Sequence, residues 1–146
     1  MALKEKALKR MAEKLNAAGV VWAAGGDWLL AQKGWLRDYH DFEVTAADDE
    51  AADRVLTRLG MRQEGDPASG QAAHYHFDGA DVTLMSAQSL PGGLPESVAQ
   101  ERLTVLGVQV PVLTTEALLA QARQTGNHRR AELISACLGE TSGKAD

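Results

Sequence analysis

Covalent staples are the first thing this sequence does without. Its 146 residues contain one cysteine, Cys137, so no internal disulfide is available, which fits a reducing compartment. Cys137 lies in an apolar helical stretch and reads as a small core residue. Also missing is any apolar run near the ~20 residues that span a bilayer. The opening stretch MALKEKALKRMAEKL has no apolar h-region, and Glu5 and Glu13 argue against a transit peptide. A basic excess is lacking too. Fifteen Lys and Arg against twenty Asp and Glu give a formal charge of −5, which argues against a nucleic-acid surface as the main business. It leaves open a nucleotide held through a metal ion. There is no internal repeat and no low-complexity segment. These absences together describe a soluble cytoplasmic protein with no membrane partner.

What is present is ordinary globular material. Apolar residues make up 45% of the chain and charged residues 24%, enough for a single domain over 1–146 with a real core. Leu3, Ala7, Leu8, Met11 and Leu15 recur at helical spacing, and Gly19 ends that helix. VVWAAG (Val20 to Gly25) is short, β-branched and apolar, hence a buried strand. Asp27 can cap a helix through about Lys33, where Gly34 stops it. HDFEVTA alternates polar and apolar residues, as a strand with one polar face does. Ala47 to Gly60 forms a helix with an acidic first turn. In HYHFDGADVTLM, Asp78-Gly79 is a two-residue hairpin loop between alternating strands. Ser89 to Ser97 reads as a loop, and a second hairpin turns at Gly107. Thr114 or Thr115 caps a helix to about Gln124, Gly126-Asn127 breaks it, and a last helix runs to Leu138. Residues 139–146 read as a frayed tail. The fold class is α+β: a small mixed β-sheet flanked by helices, ending in a helical hairpin.

The chemistry concentrates on acids. Period two puts Asp41 and Glu43 on one strand face, with Phe42 on the other. With Asp78-Gly79 as the loop, His76 faces Asp81, and Asp81 shares its face with Thr83, His74 and His76. If the two strands are neighbours, Asp41, Glu43 and Asp81 converge. Three oxygen donors without a thiolate suit a hard cation, Mg²⁺ or Mn²⁺, held with water and substrate phosphates. Such a site is the equipment of metal-assisted phosphoryl or nucleotidyl transfer. Gly25-Gly26, where a strand ends and a helix begins, lets backbone N–H groups approach a phosphate. Three other readings compete: a solvated edge strand at Asp41 and Glu43, a zinc site built from His40, His74 and His76, and a charged His76 that tunes Asp81. Trp22, Trp28 and Trp35 read as core or core rim, with Trp35 also able to stack on a ring.

Gly25-Gly26, the segment RDYHDFEV, the helix after it ending LTRLGM, and Asp81 in ADVTLM resemble the nucleotidyltransferase superfamily. The similarity is to its small bacterial branch, which includes the lincosamide and aminoglycoside nucleotidyltransferases. GVQVPVLTTEALLAQ resembles that branch as well. The resemblance implies transfer of a nucleoside monophosphate from a nucleoside triphosphate to an acceptor hydroxyl, on a small molecule or a protein. It implies that Gly25 and Gly26 contact the triphosphate, and that Asp41 and Glu43 hold Mg²⁺. Asp81 would hold the catalytic metal or take the acceptor proton. The chain departs from the pattern at Asp27, where many relatives have Ser, and at NHRRAELI, where relatives often carry a Lys-Asp pair. Arg37, Lys33, Arg129 or Arg130 is left to supply the phosphate-contacting cation, and Arg37 is taken as the nucleotide-binding candidate. One rival is a degenerate nucleotidyltransferase fold that only binds or regulates, such as part of a toxin–antitoxin pair. The other is a sugar- or protein-modifying enzyme that uses the acids as general acid and base.

Overall fold

The computed structural model describes residues 2–60, 62–94 and 101–143. Helix α1 (Ala2–Ala17) leads to strand β1 (Trp22–Gly25), helix α2 (Gly26–Gln32), strand β2 (Phe42–Ala46) and helix α3 (Asp49–Leu59). Three strands follow, β3 (Arg62–Glu64), β4 (Ala73–Phe77) and β5 (Ala80–Met85), then β6 (Arg102–Val105) and β7 (Val108–Pro111). Helices α4 (Thr115–Gln124) and α5 (His128–Gly143) close the chain as an antiparallel-type hairpin around Gly126. Five strands form one sheet in the order β1-β2-β5-β4-β3. Only the β2–β5 pair is parallel, so the sheet is mixed. The architecture is α+β, as the sequence predicts.

Alternation divides the sheet into two faces with different jobs. Phe42, Val44, Val82, Leu84, Tyr75 and Phe77 point to one side, all buried. They pack with Leu8, Met11 and Leu15 of α1 and Leu56 of α3 into a single apolar cluster. Each such large side chain, fully buried, contributes about 1.5–3 kcal/mol relative to exposure. Trp28 of α2 meets Phe42 edge-on, with ring centroids 6.2 Å apart. The Trp22 indole N–H donates to Asn16 Oδ1 at 2.9 Å, and Asn16 donates to the Gln109 carbonyl at 3.1 Å, which ties α1 to β1 and β7. The other face carries Asp41, Glu43, Thr45, Asp81, Thr83, His74 and His76. Over β2 it is covered by α4, whose Gln121 donates to Thr45 Oγ1 at 2.8 Å, while the chain after β7 pairs with the edge of β1, the Leu113 N–H donating to the Ala24 carbonyl at 3.0 Å. Over β5 and β4 it is left open, with His76 and Asp81 both partly exposed.

Several local expectations change. β2 begins at Phe42, one residue after Asp41, and β1 begins at Trp22. Asp27 caps nothing: Gly25 is the N-cap of α2, and the Asp27 side chain turns to Arg130 instead. α5 continues past Leu138 to Gly143, carrying Gly139 within the helix. β3 is a strand that periodicity does not announce, since all three of its residues are exposed. Cys137 is half-buried instead of core. Residues 95–97 of the expected loop and 144–146 of the expected tail lie outside the described residues. No described helix is long and apolar enough to cross a membrane.

Candidate functional site

β2 and β5 run side by side with Phe42 paired to Val82 and Glu43 to Thr83. One step back along the same register, Asp41 lies across from Asp81. Two hydrogen bonds fix these carboxylates. Thr83 Oγ1 donates to Asp41 Oδ2 at 2.6 Å, and His76 Nδ1 lies 2.7 Å from Asp81 Oδ1. His74 Nδ1 is 3.1 Å from Thr83 Oγ1. The single Thr83 proton is already given to Asp41, so His74 donates through Nδ1–H to Thr83 Oγ1. A carboxylate is acceptor-only, so His76 likewise presents Nδ1–H to Asp81. Asp41 Oδ1 and Asp81 Oδ2 make no hydrogen bond to any described residue. The group opens into a hollow of about 270 Å³ lined by His40, Asp41, His74, Asp81 and Thr83, with Gln63 of β3 at its edge.

Glu43 belongs to the same strand face but to a different cluster. Its Oε1 accepts from Arg130 Nη1 at 3.0 Å and its Oε2 from Nη2 at 2.8 Å. Arg130 also donates from Nε and Nη2 to Asp27 Oδ1, at 3.3 and 3.1 Å. Burial of Arg130 works against its charged form, but the hydrogen bonds and charge of Glu43, then those of Asp27, outweigh it. The guanidinium is held above its ordinary value. The Glu43 chain lies across Gly26: a Cβ added there would sit 2.6 Å from Glu43 Cδ. Gly26 has φ +66°, in the left-handed region that glycine enters without strain. Gly25 is tight for another reason, since its Cβ would meet Leu113 Cδ1 at 2.8 Å. Neither glycine faces open space.

The sequence-expected residues therefore separate into two groups. Asp41 and Asp81 come together, with Thr83, His74 and His76 around them. Glu43 is drawn away to Arg130 because a bidentate arginine satisfies both its oxygens. Among the described residues, no three or more Asp, Glu, His or Cys side chains are placed to hold a metal ion. That set includes the zinc alternative, His40, His74 and His76. Tested against a hard cation, Asp41 and Asp81 fit, each with an oxygen to offer, and Mg²⁺ needs only one or two carboxylates beside substrate phosphates. Glu43 does not fit. Arg37 is exposed and makes no hydrogen bond or ion pair with described residues. Lys33 lies over the Trp35 ring, 5.6 Å from its centroid. Arg129 lines a second hollow of about 260 Å³ with Asp27, Leu30, Leu36, Asn127 and Leu133. Sequence reasoning missed the pairing of Asp27 with Arg130, which no local pattern signals across 103 positions.

No protein-family model and no curated protein matches the chain. Solved structures do match its fold. A candidate nucleotidyltransferase from Thermotoga maritima superposes with a TM-score of 0.60 at 20% identity, over 92% of each chain. The crystal structure of ANT(2'')-Ia in complex with adenylyl-2''-tobramycin gives 0.66 at 13% identity, over 97% of this chain and 92% of the other. A nucleotidyltransferase-like antigenic protein from Paracoccidioides brasiliensis gives 0.51 at 15%, over 91% and 75%. At these identities the likeness is one of fold. The mixed sheet and its helices have the nucleotidyltransferase-like architecture.

Proposed function

We propose that the chain is a single-domain cytoplasmic nucleotidyltransferase. It moves a nucleoside monophosphate from a nucleoside triphosphate to an acceptor hydroxyl of a small molecule or protein. The observation that carries this reading is the pairing of Asp41 with Asp81 across parallel strands β2 and β5, on the open part of the polar face, within a nucleotidyltransferase-like fold. Asp41 and Asp81 are the residues that would hold Mg²⁺ or Mn²⁺. Such an ion supplies charge neutralisation on the transferring phosphoryl group and polarises its oxygens. The chain's own residues position the rest. Thr83 fixes the Asp41 rotamer through its 2.6 Å bond, and His76 fixes Asp81. Asp81, with one oxygen uncommitted, is also the group placed to accept a proton from an incoming hydroxyl. Gly25 and Gly26 are kept as an approach for the triphosphate through backbone atoms alone, because Leu113 and Glu43 fill the side a Cβ would take; Arg37 is an exposed cation able to meet it.

Occupancy of this site must stabilise the folded state by RT ln(1 + [L]/Kd), about 2.7 kcal/mol at a hundredfold excess over Kd. Thermal unfolding is therefore measured with a non-hydrolysable nucleoside triphosphate, with and without Mg²⁺, in the native chain and in Asp41→Asn. The expected result is a rise in Tm that needs both components and is lost in Asp41→Asn. No rise with any of the common bases overturns the reading.

A second reading has its own observation. The closure of Glu43 by Arg130 removes one of the three expected acids from service. That favours a degenerate module that binds nucleotide or a protein partner without transfer. Nucleotide-dependent stabilisation without release of pyrophosphate against a panel of acceptors is its signature.

A further inference from the structure

Glu43 and Arg130 are both nearly withdrawn from solvent, with side chains 12% and 10% exposed. In such surroundings an uncompensated charge is costly, and an ion pair persists when its geometry satisfies every donor and acceptor. Here it does. The two Arg130–Glu43 bonds are parallel, one per oxygen, at 3.0 and 2.8 Å, and the remaining edge of the guanidinium is taken by Asp27. The three groups together carry one net negative charge. Glu43 is walled in on its other side by Gly26, whose missing Cβ makes the room it occupies. A divalent ion approaching Glu43 would have to displace a guanidinium that is already shared with the half-exposed Asp27.

We propose that Arg130 is the resident counter-cation of Glu43, so that the divalent-ion capacity of the site rests on Asp41 and Asp81 alone. The inference rests on the reading of Asp41 and Asp81 given above. It makes Arg130 a residue that limits how many carboxylates reach a metal. On this view the acid-x-acid pattern of β2 overstates the donor set. The second acid serves to anchor the N-terminal turn of α5 to the sheet.

The test is a Mn²⁺ titration of the full chain without nucleotide, with free ion read by electron paramagnetic resonance. Asp41→Asn should weaken binding about tenfold or more, as loss of a ligand does. Glu43→Gln in the otherwise native chain should leave the affinity unchanged. Arg130→Gln should tighten binding about tenfold, equivalent to about 1.4 kcal/mol, or add a second ion. Arg130→Gln with Glu43→Gln should return to the native value. The proposal is overturned if Glu43→Gln weakens Mn²⁺ as much as Asp41→Asn does, or if folded Arg130→Gln binds no better than the native chain. Should Arg130→Gln fail to unfold cooperatively, the comparison of Glu43→Gln with Asp41→Asn decides alone. Uptake by Arg130→Gln but none by the native chain would sink the reading of Asp41 and Asp81 while supporting that of Arg130.

Discussion

Replacing Gly26 by Ala separates backbone strain from side-chain crowding at the centre of this fold. At φ +66° an alanine is in the left-handed region, which costs roughly 1–2 kcal/mol for an L-residue. The new methyl also falls 2.6–2.9 Å from Glu43 Cδ, Cβ and Cγ, closer than carbon atoms tolerate. Glu43 cannot yield freely, because both its oxygens are on Arg130. Rotating it away breaks a nearly buried pair, which costs up to about 3–5 kcal/mol when one partner is left bare. Partial relaxation and the remaining Asp27 contact reduce that, so the whole substitution should cost about 3–5 kcal/mol. Urea unfolding followed by tryptophan fluorescence reads it. With m of about 1–3 kcal/mol/M, the midpoint should fall by roughly 1–5 M. The decisive comparison repeats Gly26→Ala in a Glu43→Gly background, which removes the Cβ, Cγ and Cδ contacts together, so that only the backbone cost of about 1–2 kcal/mol remains. Equal costs in the two backgrounds would show that Glu43 does not lie over Gly26. A cost below about 1 kcal/mol in the native chain would refute the left-handed assignment itself.

Three other perturbations follow from the same geometry. Tyr75 is buried and donates to Asp53 Oδ1 at 2.5 Å; burial first, and then that bond, raises its pKa above the model-peptide value of 10.0. A folded value above the unfolded one gives stability that is present below pH 10.0 and lost as pH rises beyond it. Tyr75→Phe should therefore cost about 1.5–3 kcal/mol at neutral pH and flatten the decline in urea midpoint between about pH 8 and about pH 11; an unchanged slope refutes this. Gln121 is 1% exposed and donates to Thr45 Oγ1 and Ser89 Oγ, both at 2.8 Å. Gln121→Leu should cost about 2 kcal/mol by calorimetry, and adding Thr45→Val should recover part of it, since removing both partners spares the unsatisfied hydroxyl. Arg10 and Asp78 form a 3.0 Å pair that is 46% and 37% exposed. Arg10→Ala should change stability by less than about 1 kcal/mol, and a larger loss would mean that the arginine stem carries packing.

The sequence discloses what local chemistry decides. Asp78 and Gly79 take φ of 53° and 77°, the left-handed pair a two-residue hairpin demands, and the register that follows sets His76 against Asp81. Thr114 caps α4 through Ala117 N–H as the pattern predicts. Strand alternation likewise put Asp41, Glu43 and Asp81 on one face. It goes no further, because a face is shared by all residues of one parity, whereas a ligand set depends on which oxygens are already taken. The partner that took those of Glu43 sits 87 residues away on α5. The same arginine turned Asp27 from the capping role its position suggests. β3 escaped notice for the opposite reason: Arg62, Gln63 and Glu64 bury nothing, and only the exposed edge of β4 holds them in a strand. The glycine pair could be read as a phosphate approach, yet the reason for both glycines within the folded chain is contact with Leu113 and Glu43. Counting acids on a strand thus gives an upper bound on metal ligands. An arginine on a helix packed over the same face lowers that bound by one carboxylate, because its fork occupies both oxygens at once.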